Sequence, residues 1–333
     1  MLWFFIAFVA YFLNALAAVV DKTMLKKEST VGTPVTYTFS IAMFGALLMI
    51  IFLSVSIFVP SLQIGFPGYY IFFISLVTGG VNIWALLLIF SALKKDDASR
   101  VSPMVGGLIP IFVLVLAWYM LGEKLETSQY VSFIFLILGT FLIALDFQEK
   151  GFVSWLKNKF HLKKKIKMPH IRKTIWLALP AAFLFAVMNV LTKHVYTQVN
   201  FVDGFLWTRL GAFVAVLFLL FSFKNREEIR QSFHHEKKSQ RQKKNDKKTA
   251  GRFLVGQVSG GLGSLFLQYA IFLGSVTLVN ALQGVQYGFV FLIVALLTLF
   301  APKILKEKIS REIVIQKLVA ICLIGIGLFI LVF

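Results

Sequence analysis

One positive charge stands where a charge is costly. Arg209, in LWTRLGAF (206–213), lies within a long apolar run. A buried guanidinium offers a planar fork of N–H donors that suits a carboxylate or phosphate. The alternative is that it snorkels outward or bonds carbonyls. Further along, Asn280, Gln283, Gln286 and Tyr287 recur at spacings of three and four, so they share one helical face. Amides and a phenol can orient a ligand, or they can join helices by hydrogen bonds. Asn14, Asn82, Trp84 and Gln268, with Tyr269, add amide and aromatic groups in other apolar runs. All 15 Asp and Glu lie at or beyond the ends of those runs. A lone cation would therefore meet no counter-charge, and an anionic or zwitterionic small molecule is the better match for Arg209.

Catalytic groupings are missing from the sequence. There is no phosphate-cradling glycine loop with Lys-Ser or Lys-Thr, no His-Glu zinc motif and no Ser-His-Asp candidate. His234 and His235 adjoin no carboxylate or cysteine cluster, and the single Cys322 allows neither an internal disulfide nor a cysteine metal site. No catalytic residue, metal or cofactor is expected, and the chain does not read as an enzyme.

The elements that must position these residues are membrane helices. The chain is 58% hydrophobic with a mean hydropathy of +0.82. Continuous apolar runs of about 20 residues match the hydrocarbon thickness, and backbone in lipid must satisfy its own hydrogen bonds. Ten spans are expected, at roughly 1–20, 35–59, 69–93, 101–121, 128–147, 174–195, 203–223, 253–273, 278–300 and 313–333. Of the 34 Lys and Arg, 30 fall in the loops after the odd-numbered spans. This asymmetry places those loops in the cytoplasm and both termini outside. The net charge of +19 is then topological, and a nucleic-acid partner is not expected. The first span could be mistaken for a signal peptide but lacks a positive leading region.

The chain also repeats itself. VTGGVN (77–82) returns as VSGGLG (258–263), and FLNALAAVVDK (12–22) aligns with FLFAVMNVLTK (183–193). Val101 and Gly106 align with Val279 and Gly284, Glu123-Lys124 with Glu307-Lys308, and Gly139 falls near Gly325. Residues 1–148 form one five-span repeat and 174–333 a second, joined by a basic linker at 149–173. An odd number of spans inverts the second copy, the architecture of secondary transporters with a midplane site between the halves. The paired glycines read as close-packing points, or as room for substrate or helix bending. The linker, with Phe152, Trp155, Leu156 and Phe160 among lysines, reads as an interfacial segment on anionic lipid. The polar loop 224–252 is not expected to pack a core. Lys193 reads as an interfacial anchor, and Glu123 as part of a turn or surface ion pair.

The run 98–145 resembles the signature of EamA-type carriers of the drug/metabolite transporter superfamily, in Ala98, Pro110, Gly122, Glu123, Lys124, Leu125 and Gly139. The second copy keeps Glu307 and Lys308 but has Lys306 and Gly288 in place of the glycine and proline. The resemblance implies a ten-helix carrier. Many members are drawn with cytoplasmic termini, against the charge asymmetry here. The expected function is alternating-access transport of a small polar metabolite, such as an amino acid, across a plasma membrane. A sugar-containing or lipid-linked substrate, or a non-transporting scaffold acting through 224–252, are the alternatives.

Overall fold

A computed structural model describes residues 1–25, 33–59, 64–95, 98–144, 171–233, 240–300 and 311–332, so Lys306, Glu307 and Lys308 of the second copy lie outside the described residues. Every regular element among them is a helix: α1 (Leu2–Leu25), α2 (Pro34–Phe58), α3 (Tyr69–Leu93), α4 (Ala98–Leu121), α5 (Thr127–Ala144), α6 (Ile171–Gln198), α7 (Phe201–Leu219), α8 (Phe223–Phe233), α9 (Gln240–Leu273), α10 (Val276–Ala281), α11 (Gln283–Phe300) and α12 (Arg311–Val332). Local chemistry sets several boundaries. Thr33 caps α2, accepting from the Thr36 N–H, and Pro34 sits in the first turn, where its missing N–H costs nothing. Asn200 caps α7 and Ser275 caps α10 in the same way, accepting from Asp203 and Leu278 N–H groups. Gly122 follows α4 at φ 64°, a left-handed conformation that favours glycine. That accounts for the glycine of the Gly-Glu-Lys motif, and the turn carries Glu123 back so that its N–H reaches the Ala117 carbonyl at 3.2 Å.

Among the described residues, eight helical stretches are long and apolar enough to cross a membrane. They correspond to the first four, sixth, seventh, ninth and tenth expected spans. The fifth is a shorter apolar helix, Thr127–Ile143. The eighth is the latter part of the 34-residue α9, where Gly, Ser and Gln dilute the apolar residues. Side-chain size is distributed for lipid. Trp84, Trp118, Tyr119 and Trp176 are mostly exposed, while Ala7, Ala10, Ala15, Ala178, Ala182 and Ala186 are fully buried. In water such a surface would drive association. In a bilayer, small residues inside let helices approach closely. The chain is a multi-pass helical membrane protein.

The most extensive packing joins α1 to α9, α5 to α12, α3 to both α6 and α7, and α4 to α6. At the α3–α7 crossing the backbones touch. A Cβ on Gly79 would overlap backbone atoms of Thr208, Gly211 and Ala212, and one on Gly211 would overlap Ser75 and Leu76. Gly80 has more room, with Ala215 Cβ 4.0 Å from a Cβ built there. In the second copy Gly261 faces the Phe44 ring instead of a backbone. Along α5–α12, Ser132 Oγ donates to the Gly327 carbonyl and Gln316 Nε2 to that of Leu142, each at 2.7 Å. Gly327, not Gly325, is the closely packed glycine of α12.

Two expectations change. The ninth span is broken at Leu282 into α10 and α11, so Asn280 lies on a different helix from Gln283, Gln286 and Tyr287. The loop 224–252 is largely helical in its described parts, and α8 packs on α2 with Ile229 buried. His234 and His235 and the aromatic residues of the linker lie outside the described residues.

Candidate functional site

Arg209 is midway along α7, and a small cavity opens beside it. The cavity is lined by Thr78, Gly79 and Asn82 of α3, Met188 and Thr192 of α6, Thr208, Arg209 and Ala212 of α7, and Gln268 of α9. Its volume of about 20 Å³ has room for about one water molecule. These positions fall near the middles of α3 and α7 and toward the C-terminal ends of α6 and α9. The Gly79–Gly211 crossing brings α3 against α7, and so carries Thr78 and Asn82 to the arginine.

The guanidinium is held from two directions. Its Nη2 donates to Ser264 Oγ at 3.1 Å, and its carbon lies 5.0 Å from the centroid of the Phe205 ring. Neither partner is anionic, and no carboxylate lines the cavity among the described residues. The nearest acid along α7, Asp203, is occupied at the helix start, accepting from Gly65 N–H at 3.1 Å and Asn200 Nδ2 at 2.8 Å. Gln268 is oriented by Tyr196, whose hydroxyl donates to its Oε1 at 3.3 Å. Beyond Tyr196 an aromatic cluster of Phe201, Phe205, Tyr269 and Phe272 fills the bundle toward the α6–α7 turn.

Of the ten residues singled out in the sequence, the cavity gathers Arg209, Asn82 and Gln268, while Tyr269 belongs to the aromatic cluster. The others are placed elsewhere. Asn280 accepts from Asn189 Nδ2 at 2.8 Å and donates to the Val276 carbonyl at 2.8 Å. Asn189 adjoins Met188 on α6, so one face of that helix meets the cavity and the next meets Asn280. Tyr287 donates to the Ser102 carbonyl at 2.9 Å, and with Gln283 it packs over Gly106 of α4. Gln286 is half-buried on α11, away from the cavity lining. Asn14 packs its amide against Gly263 at the α1–α9 crossing. Trp84 is turned outward, 62% exposed.

The sequence reading passed over Thr78, Thr192, Thr208, Met188 and Ser264. Two signals pointed to some of them. Thr208 adjoins the arginine, and Ser264 precedes Gln268 by one helical turn. Hydroxyls are common in membrane helices, so only the fold distinguishes those that meet at one point.

A second charged cluster stands at the α9–α10 junction. Lys193 Nζ donates to the carbonyls of Ile271 (2.9 Å), Phe272 (3.1 Å) and Gly274 (2.6 Å), the orphan acceptors at the end of α9. Glu123 accepts from Ser275 Oγ and, at 3.3 Å, from the Thr277 N–H at the start of α10. A cation at a helix C-terminus and a carboxylate at an N-terminus both suit the helix dipole. Each residue is thus a helix cap, more deeply engaged than an interfacial anchor or a surface ion pair.

Residues 1–145 match the model of the EamA-like transporter family. The resemblance drawn from residues 98–145 is borne out by that match, which spans the first half-repeat of the chain and less than half of its length. No curated protein matches significantly. A solved structure, described only as the crystal structure of a protein, superposes with a TM-score of 0.60 at 15% identity, over 98% of this chain and 94% of its own. At that identity the likeness is one of fold.

Proposed function

We propose, with the EamA-like match of residues 1–145 as premise, that the chain is a secondary carrier of a small polar metabolite, with the Arg209 cavity as its substrate site. The observation that carries this is a guanidinium in mid-bundle with no carboxylate among the described cavity residues. An arginine so placed is better stabilised when an anionic ligand joins it. An amino acid or a related acid is of suitable charge.

The same reading takes the chain as ten spans in two inverted halves, 1–148 and 174–333. Helix pairing supports it. Exchanging the halves turns α3–α6 into α9–α1 and α4–α6 into α11–α1, and maps α5–α12 onto itself; all five are substantial contacts. The exchange is not exact: α3–α7 is extensive, while its counterpart α9–α2 is slight and has the Phe44 ring in it, and α5–α11 has no comparable α4–α12 contact among the described residues. Two halves in unequal packings are what a carrier needs if it alternates between two access states. The cavity, at about 20 Å³, is far below the roughly 300 Å³ of a small ligand site. The site is therefore contracted here, and the reading requires it to widen as helices part. The charge asymmetry supports external termini, with basic loops facing anionic lipid, and the reading takes the membrane to be the plasma membrane.

Proteoliposomes screened with labelled metabolites, with and without a pH gradient, test the function. Uptake of a small acid or zwitterion above that of protein-free vesicles supports it. Absence of uptake across the screen would favour a scaffold role.

A further inference from the structure

We infer that Thr78 and Thr208 are specificity-determining acceptors, so that the substrate must carry a hydrogen-bond donor beside the anionic group that meets Arg209. This rests on reading the cavity as the substrate site, and it follows from where the hydroxyl protons go. A threonine hydroxyl has one proton and two lone pairs. Thr78 Oγ1 directs its proton to the Ile74 carbonyl at 2.7 Å, one turn back on α3. Thr208 Oγ1 lies 2.8 Å from the Gly204 carbonyl and 3.0 Å from that of Phe205, and donates within α7. Thr192 Oγ1 points to Met188 Sδ at 3.6 Å. With the proton engaged in its own helix, the hydroxyl of each of these cavity-lining threonines keeps lone pairs to offer a ligand.

The opposite polarity comes from Arg209 and Gln268. The Tyr196 phenol occupies Gln268 Oε1, which leaves the amide nitrogen as the donor end of a cavity-lining side chain. The site is thus two-sided, with donors from the guanidinium and the amide and acceptors from the threonines. A simple carboxylate would satisfy the donors and set its apolar chain against lone pairs. An acid with an adjacent hydroxyl or ammonium would satisfy both sides. Among the described residues no carboxylate faces the donor position, so a neutral hydroxyl should serve about as well as an ammonium. The inference therefore goes beyond anion selectivity: amino and hydroxy acids of one skeleton should be near-equivalent, and both should exceed the plain acid.

The test uses the purified full chain and its thermal stabilisation by matched triplets, each an amino acid, its hydroxy analogue and the unsubstituted acid, on skeletons from three carbons to an aromatic one. For the skeleton that binds, half-stabilising concentrations should agree within a few-fold for the first two and be about tenfold higher for the plain acid, the effect of one hydrogen bond. Thr78→Val with Thr208→Val should erase that difference, and Thr208→Ser, which keeps the acceptor, should retain it. A plain acid binding as tightly as its hydroxy analogue overturns the inference, as does discrimination that survives the double valine variant. If binding is unaltered in Arg209→Gln, the cavity is not the site. If no triplet stabilises the protein, the small-acid reading itself fails.

Discussion

At Gly79 a single hydrogen atom in place of a methyl lets α7 lie against α3. Gly79→Ala should lower stability by about 1–3 kcal/mol, because the atoms in the way belong to backbone and cannot rotate aside. Gly80→Ala should leave it nearly unchanged, since a Cβ there meets Ala215 only at 4.0 Å. Thermal melts of the two variants in detergent check this; equal losses would refute the backbone-contact account. The sequence showed that the glycine pair mattered but not which member. The repeated phrase marks both, and only the rotation of α3 about its axis decides which one faces α7. The same limit applied to Arg209. Its charge within an apolar run was visible, but Ser264 and Phe205, the groups that hold it, belong to a distant helix and an unremarkable phenylalanine.

Among the elements, the α9–α10 junction depends most on named charges. The Lys193 ammonium bonds three carbonyls at the end of α9. Lys193→Met preserves most of the side-chain volume and leaves those acceptors without their donor. The expected loss is about 3 kcal/mol, or an apparent melting temperature lower by roughly 5 °C. A melt indistinguishable from wild type would show that the carbonyls find water or another donor at no cost. Span existence was legible from apolar run length, because the hydrocarbon imposes it. The break at Leu282 was not, since an apolar run long enough to cross the membrane carries no record of where its helix is interrupted. The polar stripe on the ninth span was real as a pattern, yet its members meet different neighbours: Asn280 meets α6 and Tyr287 meets α4. Periodicity assigns residues to a face but does not say whether that face meets a cavity or another helix.

For the whole molecule, the distribution of lysine and arginine sets orientation. A reporter that works only in the cytoplasm should be silent when fused after Phe333 and active when inserted within 149–173; the reverse pattern would invert the topology. The central claim is that Arg209 recognises the anionic group of a transported substrate. Initial uptake rates in proteoliposomes, once the screen has supplied a substrate, test it most directly in wild type, Arg209→Gln and Arg209→Lys. The account predicts that Arg209→Gln loses at least about tenfold in uptake efficiency, that Arg209→Lys recovers only part because it lacks the planar fork, and that both proteins melt near wild type. Wild-type uptake by Arg209→Gln would contradict it, leaving the guanidinium a structural partner of Ser264 and Phe205.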